Sequence, residues 1–255
     1  TSRSWLACAC PTLPTVPPAS NRKPRDGMPK PPANRSSAGE IQRFLKKKTD
    51  IAEFVSRTPR LMFAIDATAS RQPTWDTACQ LQRRMFDATR QIAQISIQLC
   101  YYRGFREFYS SAWCTDSAAL CSEMAQVYCE GGHTQIARVI KHGIAEHRTA
   151  PVRALVFIGD AMEENPDTLC DLAGQCGMVK LPLFLFQEGH DHGVEQTFRS
   201  MARLSHGAWA RFDQASAAKL ERLLGAVARY AAGGRKALED AGDRDAKLLL
   251  QQLKP

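Results

Sequence analysis

No stretch of this 255-residue chain is apolar for long enough to cross a bilayer. Ala154 to Ile158 and Leu181 to Phe186 are its long apolar runs, and a membrane-spanning helix needs about 20 residues. The start, Thr1 to Ser20, lacks the uninterrupted apolar stretch of a secretory signal, because after Arg3 and Trp5-Leu6-Ala7 it turns to proline. The nine cysteines are odd in number and contain no CxxC pair, which argues against a disulfide framework. Cys79, Cys100, Cys121, Cys129 and Cys170 fall inside apolar periodic segments, where a free thiol behaves as a small hydrophobe. These absences predict a protein of a reducing compartment, the cytoplasm, with no transmembrane segment. A disordered chain is excluded as well, because 44% hydrophobic residues are enough to offset the ordering entropy of a packed core.

The net charge of +8 is unevenly placed. Residues 1 to 60 hold 12 of the 34 Lys and Arg and 4 of the 26 Asp and Glu, which leaves 22 of each sign from residue 61 onward. Eight of the 14 prolines lie between Pro11 and Pro32, so residues 1–36 read as a disordered, basic, proline-rich tail. After the capping-box pattern Ser37-Ala-Gly-Glu40, the spacing of Ile41, Phe44, Leu45, Ile51 and Val55 predicts an amphipathic lead-in helix over 37–58. Arg43 and Lys46 to Lys48 take its wet face. No recognised nucleic-acid motif accompanies them, so no specific nucleic-acid partner is expected.

From residue 59 the chain alternates strands with helices. Leu61 to Ile65 is an apolar run ending at Asp66, followed by helical spacing through Ala78, Leu81, Met85, Ala88 and Ile92. Ile97, Leu99 and Tyr101 then alternate with Ser96, Gln98 and Cys100, the pattern of a half-buried strand. Tyr102 to Phe105 is a turn around Gly104, and Arg106 to Ser110 returns antiparallel at the sheet edge. Helices are expected over Ser117 to Tyr128 and from Thr134 through Ile136, Ile140 and Ile144. A second apolar strand, Ala154 to Ile158, ends at Gly159-Asp160. Helices near Asp167 to Cys176, Val194 to Leu204 and Ser216 to Ala231 alternate with strands Leu181 to Phe186 and Ala208 to Phe212. The expected architecture is α/β: three layers, an open, mostly parallel sheet with one antiparallel edge strand, and helices on both faces, over 59–232. Residues 233–255 are expected to form a helical extension.

Ligands of such sheets sit outside the carboxyl ends of the strands. Those ends carry Asp66-Ala67-Thr68-Ala69-Ser70, then Gly131-Gly132-His133-Thr134 at a helix start, then Asp160. Two carboxylates and three hydroxyls are hard oxygen donors that suit Mg²⁺ or a similar ion. Few carboxylates leave such an ion seeking an acidic ligand from outside. DxTxS, GGxT and an Asp closing an apolar strand resemble the metal-ion-dependent adhesion site (MIDAS) of von Willebrand factor A (VWA) domains, usually written DxSxS, T, D. The resemblance covers about Leu61 to Tyr230, with Thr68 standing where that family usually has Ser. It implies that Asp66, Thr68, Ser70, Thr134 and Asp160 hold Mg²⁺ (or Mn²⁺ or Ca²⁺), the hydroxyls directly and the carboxylates partly through water. It further implies a binding module rather than an enzyme, whose protein partner supplies an Asp or Glu to the metal. Bacterial intracellular members of that family often work with AAA+ ATPases of the MoxR type or in other assemblies.

The same residues are similar to a haloacid-dehalogenase-like phosphotransferase, with Asp66 as nucleophile and Gly159-Asp160-Ala-Met-Glu163-Glu164 as metal loop. That chemistry also requires a phosphate-holding lysine, for which Lys141 and Lys180 are the positional candidates. Ser70 and the GGxT loop are explained by the adhesion-type site alone. Plainer roles stand beside these: Asp66, Asp160 and Thr134 as helix caps, Glu163 and Glu164 in a solvated loop, and His133, His190 and His192 as surface rim residues.

Overall fold

The structure is a computed structural model that describes residues 42, 58–72, 75, 94–213 and 217–253. The chain divides into two units, Thr1–Leu45 and Lys46–Pro255, and the fold below belongs to the second. The expected tail, all of the expected lead-in helix except Gln42 and Thr58, and the helix expected over Ala78 to Ile92 lie outside the described residues.

Six strands form one sheet in the order β3-β2-β1-β4-β5-β6: β1 Arg60–Asp66, β2 Ser96–Arg103, β3 Glu107–Ser110, β4 Val152–Gly159, β5 Leu183–Glu188 and β6 Ala208–Phe212. All neighbours are parallel except β2 and β3, which form the antiparallel edge hairpin. β1 is buried at every position, as a continuous apolar run covered on both faces must be. Its side chains alternate between two cores. Leu61, Phe63 and Ile65 pack with Ala154, Val156 and Ile158 of β4, while Met62 and Ala64 pack with Leu155 and Phe157 on the opposite face.

The described helices are α1 Ser117–Ala125, α2 Ile136–Thr149, α3 Pro166–Met178, α4 His192–Leu204, α5 Ala217–Ala241 and α6 Arg244–Leu250. Helices α2, α3 and α4 cover the Met62 face, and α1, α5 and α6 contribute to the Leu61 face. In α2 the buried set is Ile136, Val139, Ile140, Gly143 and Ile144, one stripe at helical spacing. Gly143 permits close approach, because a Cβ there would lie 2.6 Å from Leu155 Cδ1 of β4.

Three elements depart from the sequence expectation. Strand β2 is buried on both faces: Gln98 is enclosed, its amide donating to the Ser111 carbonyl (3.0 Å) and its oxygen facing His142 Nε2 (3.1 Å). A polar residue at a period-two position is thus covered because helix α2 supplies it with a partner. Strand β5 begins at Leu183 rather than Leu181, after Pro182, which has no N–H to donate to the sheet. Helix α5 continues past Gly233 through a kink at Gly234 (φ 69°), and Leu238, Ala246, Leu249 and Leu253 join the same core as Leu223 and Val227.

Candidate metal centre

Strand β1 has β2 on one side and β4 on the other, so the chain reverses its direction of travel across the sheet between them. The carboxyl ends of β1 and β4 border this switch point, where open α/β sheets bind ligands. Asp66 is the last residue of β1, and Asp160 follows Gly159, the last of β4; Ile65 stands opposite Ile158 in the register. A Cβ on Gly159 would meet the Phe157 ring at 2.8 Å and lie 3.7 Å from Asp66 Cβ. Glycine at this place leaves Asp66 room beside the start of the Asp160 loop.

Asp66 is fully buried, and its Oδ1 accepts the Thr68 backbone N–H at 2.8 Å, which curls the chain as it leaves the strand. Thr68 is buried too, with its Oγ1 3.4 Å from the Oγ of the exposed Ser70, which lies in the 3₁₀ turn Ala69–Arg71. That separation is close to the roughly 3 Å between neighbouring oxygens around an ion with bonds of about 2.1 Å.

Thr134 reaches the rim on a loop laid against the β2–β3 turn. Glu130 N donates to Ala67 O (3.0 Å), His133 N to Gly104 O (3.2 Å), and Ala67 N to Tyr102 O (3.0 Å). Gly104 sits at φ 56°, and a Cβ on Gly132 would fall 1.8 Å from the Gly104 oxygen, so only glycine lets the two backbones touch.

The β4–α3 loop then clamps the Thr134 loop. Thr134 N donates to Glu163 Oε2 (2.7 Å), and Glu163 N donates to Thr134 Oγ1 (3.0 Å). Glu164 accepts Ile136 N (2.7 Å) and Ala137 N (2.8 Å), and so caps α2 with a carboxylate suited to the positive end of the helix. The loop of Glu163 and Glu164 is open to solvent, with the Glu163 side chain 52% exposed, and both carboxylates in addition hold backbone N–H groups 27 to 29 residues away in sequence. The local signals could not reveal this, although paired acids in a GDxxEE loop facing a GGxT loop are a cue of the right chemistry. The capping roles considered for Thr134 and Asp160 are also corrected. Asn165 caps α3, and Gln135 is the residue at the start of α2.

The donors gathered here are oxygens. Among the described residues no three His, Cys, Asp or Glu side chains form a metal site by themselves, so hydroxyls are required to complete one. Asp160 Oδ1 is buried and accepts no hydrogen bond among the described residues, an arrangement that fits a cation close by. His190 instead faces the Arg211 guanidinium (3.0 Å), and His192 is almost fully exposed. The lysines named for a phosphotransferase lie elsewhere: Lys180 precedes β5 at the opposite end of the sheet, and Lys141 is exposed along α2.

Solved structures share this arrangement of strands and helices. A von Willebrand factor type A structure from Catenulispora acidiphila has a TM-score of 0.56 at 15% identity, over 66% of this chain and 42% of that one. The fold is that of a von Willebrand factor A domain. The VWA domain of SpRpn10 matches at a TM-score of 0.52 and 10% identity, over 64% of this chain and 95% of that one. Proximal thread matrix protein 1 of the mussel byssus, solved with a zinc-occupied MIDAS motif, matches at 0.53 and 12%, over 76% of this chain and 53% of that one. This chain therefore spans less than two thirds of the first and third. No protein-family profile and no curated protein sequence matches it. Sheet, hairpin edge and helical layers are thus common to VWA folds, and the rim residues carry whatever this one does.

Proposed function

We propose that this chain is a divalent-metal-dependent protein-binding module of bacterial intracellular type, not an enzyme. Asp66, Thr68, Ser70, Thr134 and Asp160 hold Mg²⁺, or Mn²⁺ or Ca²⁺, at the switch point. The ion, when bound, supplies an open position for an Asp or Glu of a protein partner. The observation that carries this reading is the buried, unpartnered Asp160 Oδ1 next to a strand whose neighbour ends in the buried Asp66. The chain's own residues do the positioning: Asp66 shapes the Thr68 turn, while Glu163 and Glu164 fix the Thr134 loop. The free thiols Cys100, Cys114, Cys170 and Cys176 suit a reducing cytoplasm. A MoxR-type AAA+ ATPase is the partner class we favour, with 59–232 as the binding domain and 233–255 as its helical extension.

Thermal melts with and without millimolar Mg²⁺ test the site. Free ion at about 100 times its Kd stabilises by about 2.7 kcal/mol, a rise in Tm of about 5–10 °C for a domain of this size. The rise is expected in the parent and absent in Asp66→Ala. An unchanged Tm in the parent, or release of phosphate from an aryl phosphate that Asp66→Asn abolishes, overturns the reading.

A further inference from the structure

A cleft of about 670 Å³ runs between the start of α5 and helix α6, and none of the residues proposed for the metal lines it. Helix α5 contributes Lys219 and Arg222, three residues apart and so on one face. The other wall is Arg244, Asp245, Lys247 and Leu248 of α6, with Gln251 just after it. Four cations thus meet one carboxylate.

The nearby carboxylates gather on Arg222. Asp245 is buried and accepts the Arg222 Nε–H at 2.5 Å, which ties the two walls together, and Asp243 and Glu221 act on the same guanidinium through space. Asp243 is also paired with Arg229 at 3.1 Å. Lys219, Arg244 and Lys247 form no ion pair among the described residues; Arg244 and Lys247 are exposed and Lys219 is half-buried. Helix stability does not account for Lys219. It lies in the first turn of α5, which holds no acidic residue, and the start of a helix is its positive end, where carboxylates are favoured and cations are not. A bound anion removes that conflict.

Size and lining say which anion. The volume is that of a small-ligand site. A phosphate chain brings three or more negative charges into such a space, whereas a peptide needs three acidic residues and about 10 Å of extended backbone for the same charge. No aromatic ring lines the cleft and Leu248 is its one large apolar residue, so charge carries the recognition and a nucleobase finds no platform. We propose that this cleft is a second, metal-independent site that binds a small oligophosphate, with Lys219, Arg244 and Lys247 meeting the phosphate oxygens.

The test is titration calorimetry of the full chain with tripolyphosphate, at low salt and with no divalent metal added. Lys219→Gln, Arg244→Gln and Lys247→Gln are each expected to weaken binding about five-fold, and Lys247→Arg to keep it. Lys141→Gln, which removes the same charge from an exposed position of α2 on the other face of the sheet, is expected to leave it as it was. Groove variants that bind as the parent does, the result that the basic first 60 residues alone give, overturn the site. An equal loss in Lys141→Gln does so too, since it reports net charge only. A tetraglutamate peptide that binds as tightly as tripolyphosphate also overturns it, and makes the cleft a contact for an acidic protein segment. Asp66→Ala is expected to bind like the parent; loss of binding there puts the ligand at the metal rim and overturns the second site. With no metal in the titration, a failed Mg²⁺ melt leaves this result untouched, and the reverse holds.

Discussion

Glu164 and His142 show how single side chains set the properties of the rim and of the layer beneath it. Glu164 satisfies two of the N–H groups that every helix start leaves without partners, and its charge faces the positive end of α2. In Glu164→Gln one amide hydrogen face replaces an acceptor and the charge is gone. The expected loss is about 1–2 kcal/mol, seen as a Tm lower by about 2–8 °C, with a smaller Mg²⁺-induced rise because the Thr134 loop is less firmly held. His142 lies between Gln98, Phe108 and Glu146, and burial holds its pKa below the ordinary imidazole value, with Glu146 opposing in part. The fold accepts the neutral ring. Its stabilisation is therefore complete above the unfolded value of about 6.5 and declines as pH falls below it, since the unfolded chain takes up the proton first. Tm measured from about pH 7.5 down to about pH 5.5 is expected to fall, and His142→Gln to flatten that slope. The thiol of Cys176, pushed up to about 12 by burial alone, has no such role and is a packing residue.

At the scale of elements, the two edges of the sheet are treated differently. Edge strand β6 is closed by a side chain: Gln252 accepts from Trp209 N (2.9 Å) and donates to Trp209 O (2.8 Å), as a neighbouring strand would. Gln252→Ala removes both bonds and is expected to cost about 1–2 kcal/mol, a Tm lower by about 2–8 °C, with higher-order species appearing on size-exclusion chromatography. The strands and the helix stripes of this sheet are legible in the sequence wherever burial follows a simple period. The runs at Leu61 and Ala154 mark central strands, and their terminal aspartates mark the rim. Gln98 is not legible, because its polarity signals solvent while its partners, Ser111 and His142, come from other elements. The same holds for Glu163 and Glu164, whose function is defined by backbone groups of another loop. Gly233-Gly234 signals a stop that the chain answers with a kink, since Leu238 and Leu249 have core to fill beyond it.

The whole molecule separates charge from chemistry. From residue 61 onward the 22 basic and 22 acidic side chains cancel, so the +8 resides in the first 60 residues and the rim lies in a neutral body. Within that body the two central strands are β1, which ends in Asp66, and β4, which Asp160 follows, and every other strand is laid outward from them. The Glu163 and Glu164 clamp gives this plan an order in time. Helix α2 leaves the ribosome without its cap, and the cap arrives only when β4 and the loop after it have been made. Chains grow at about 5–20 residues per second, so the start of α2 and the Thr134 loop wait a second or more for the residues that shape them. A chain able to present that loop in its final form is thus one in which β4 is already in place beside β1, and an incompletely folded copy has no finished rim to offer a partner.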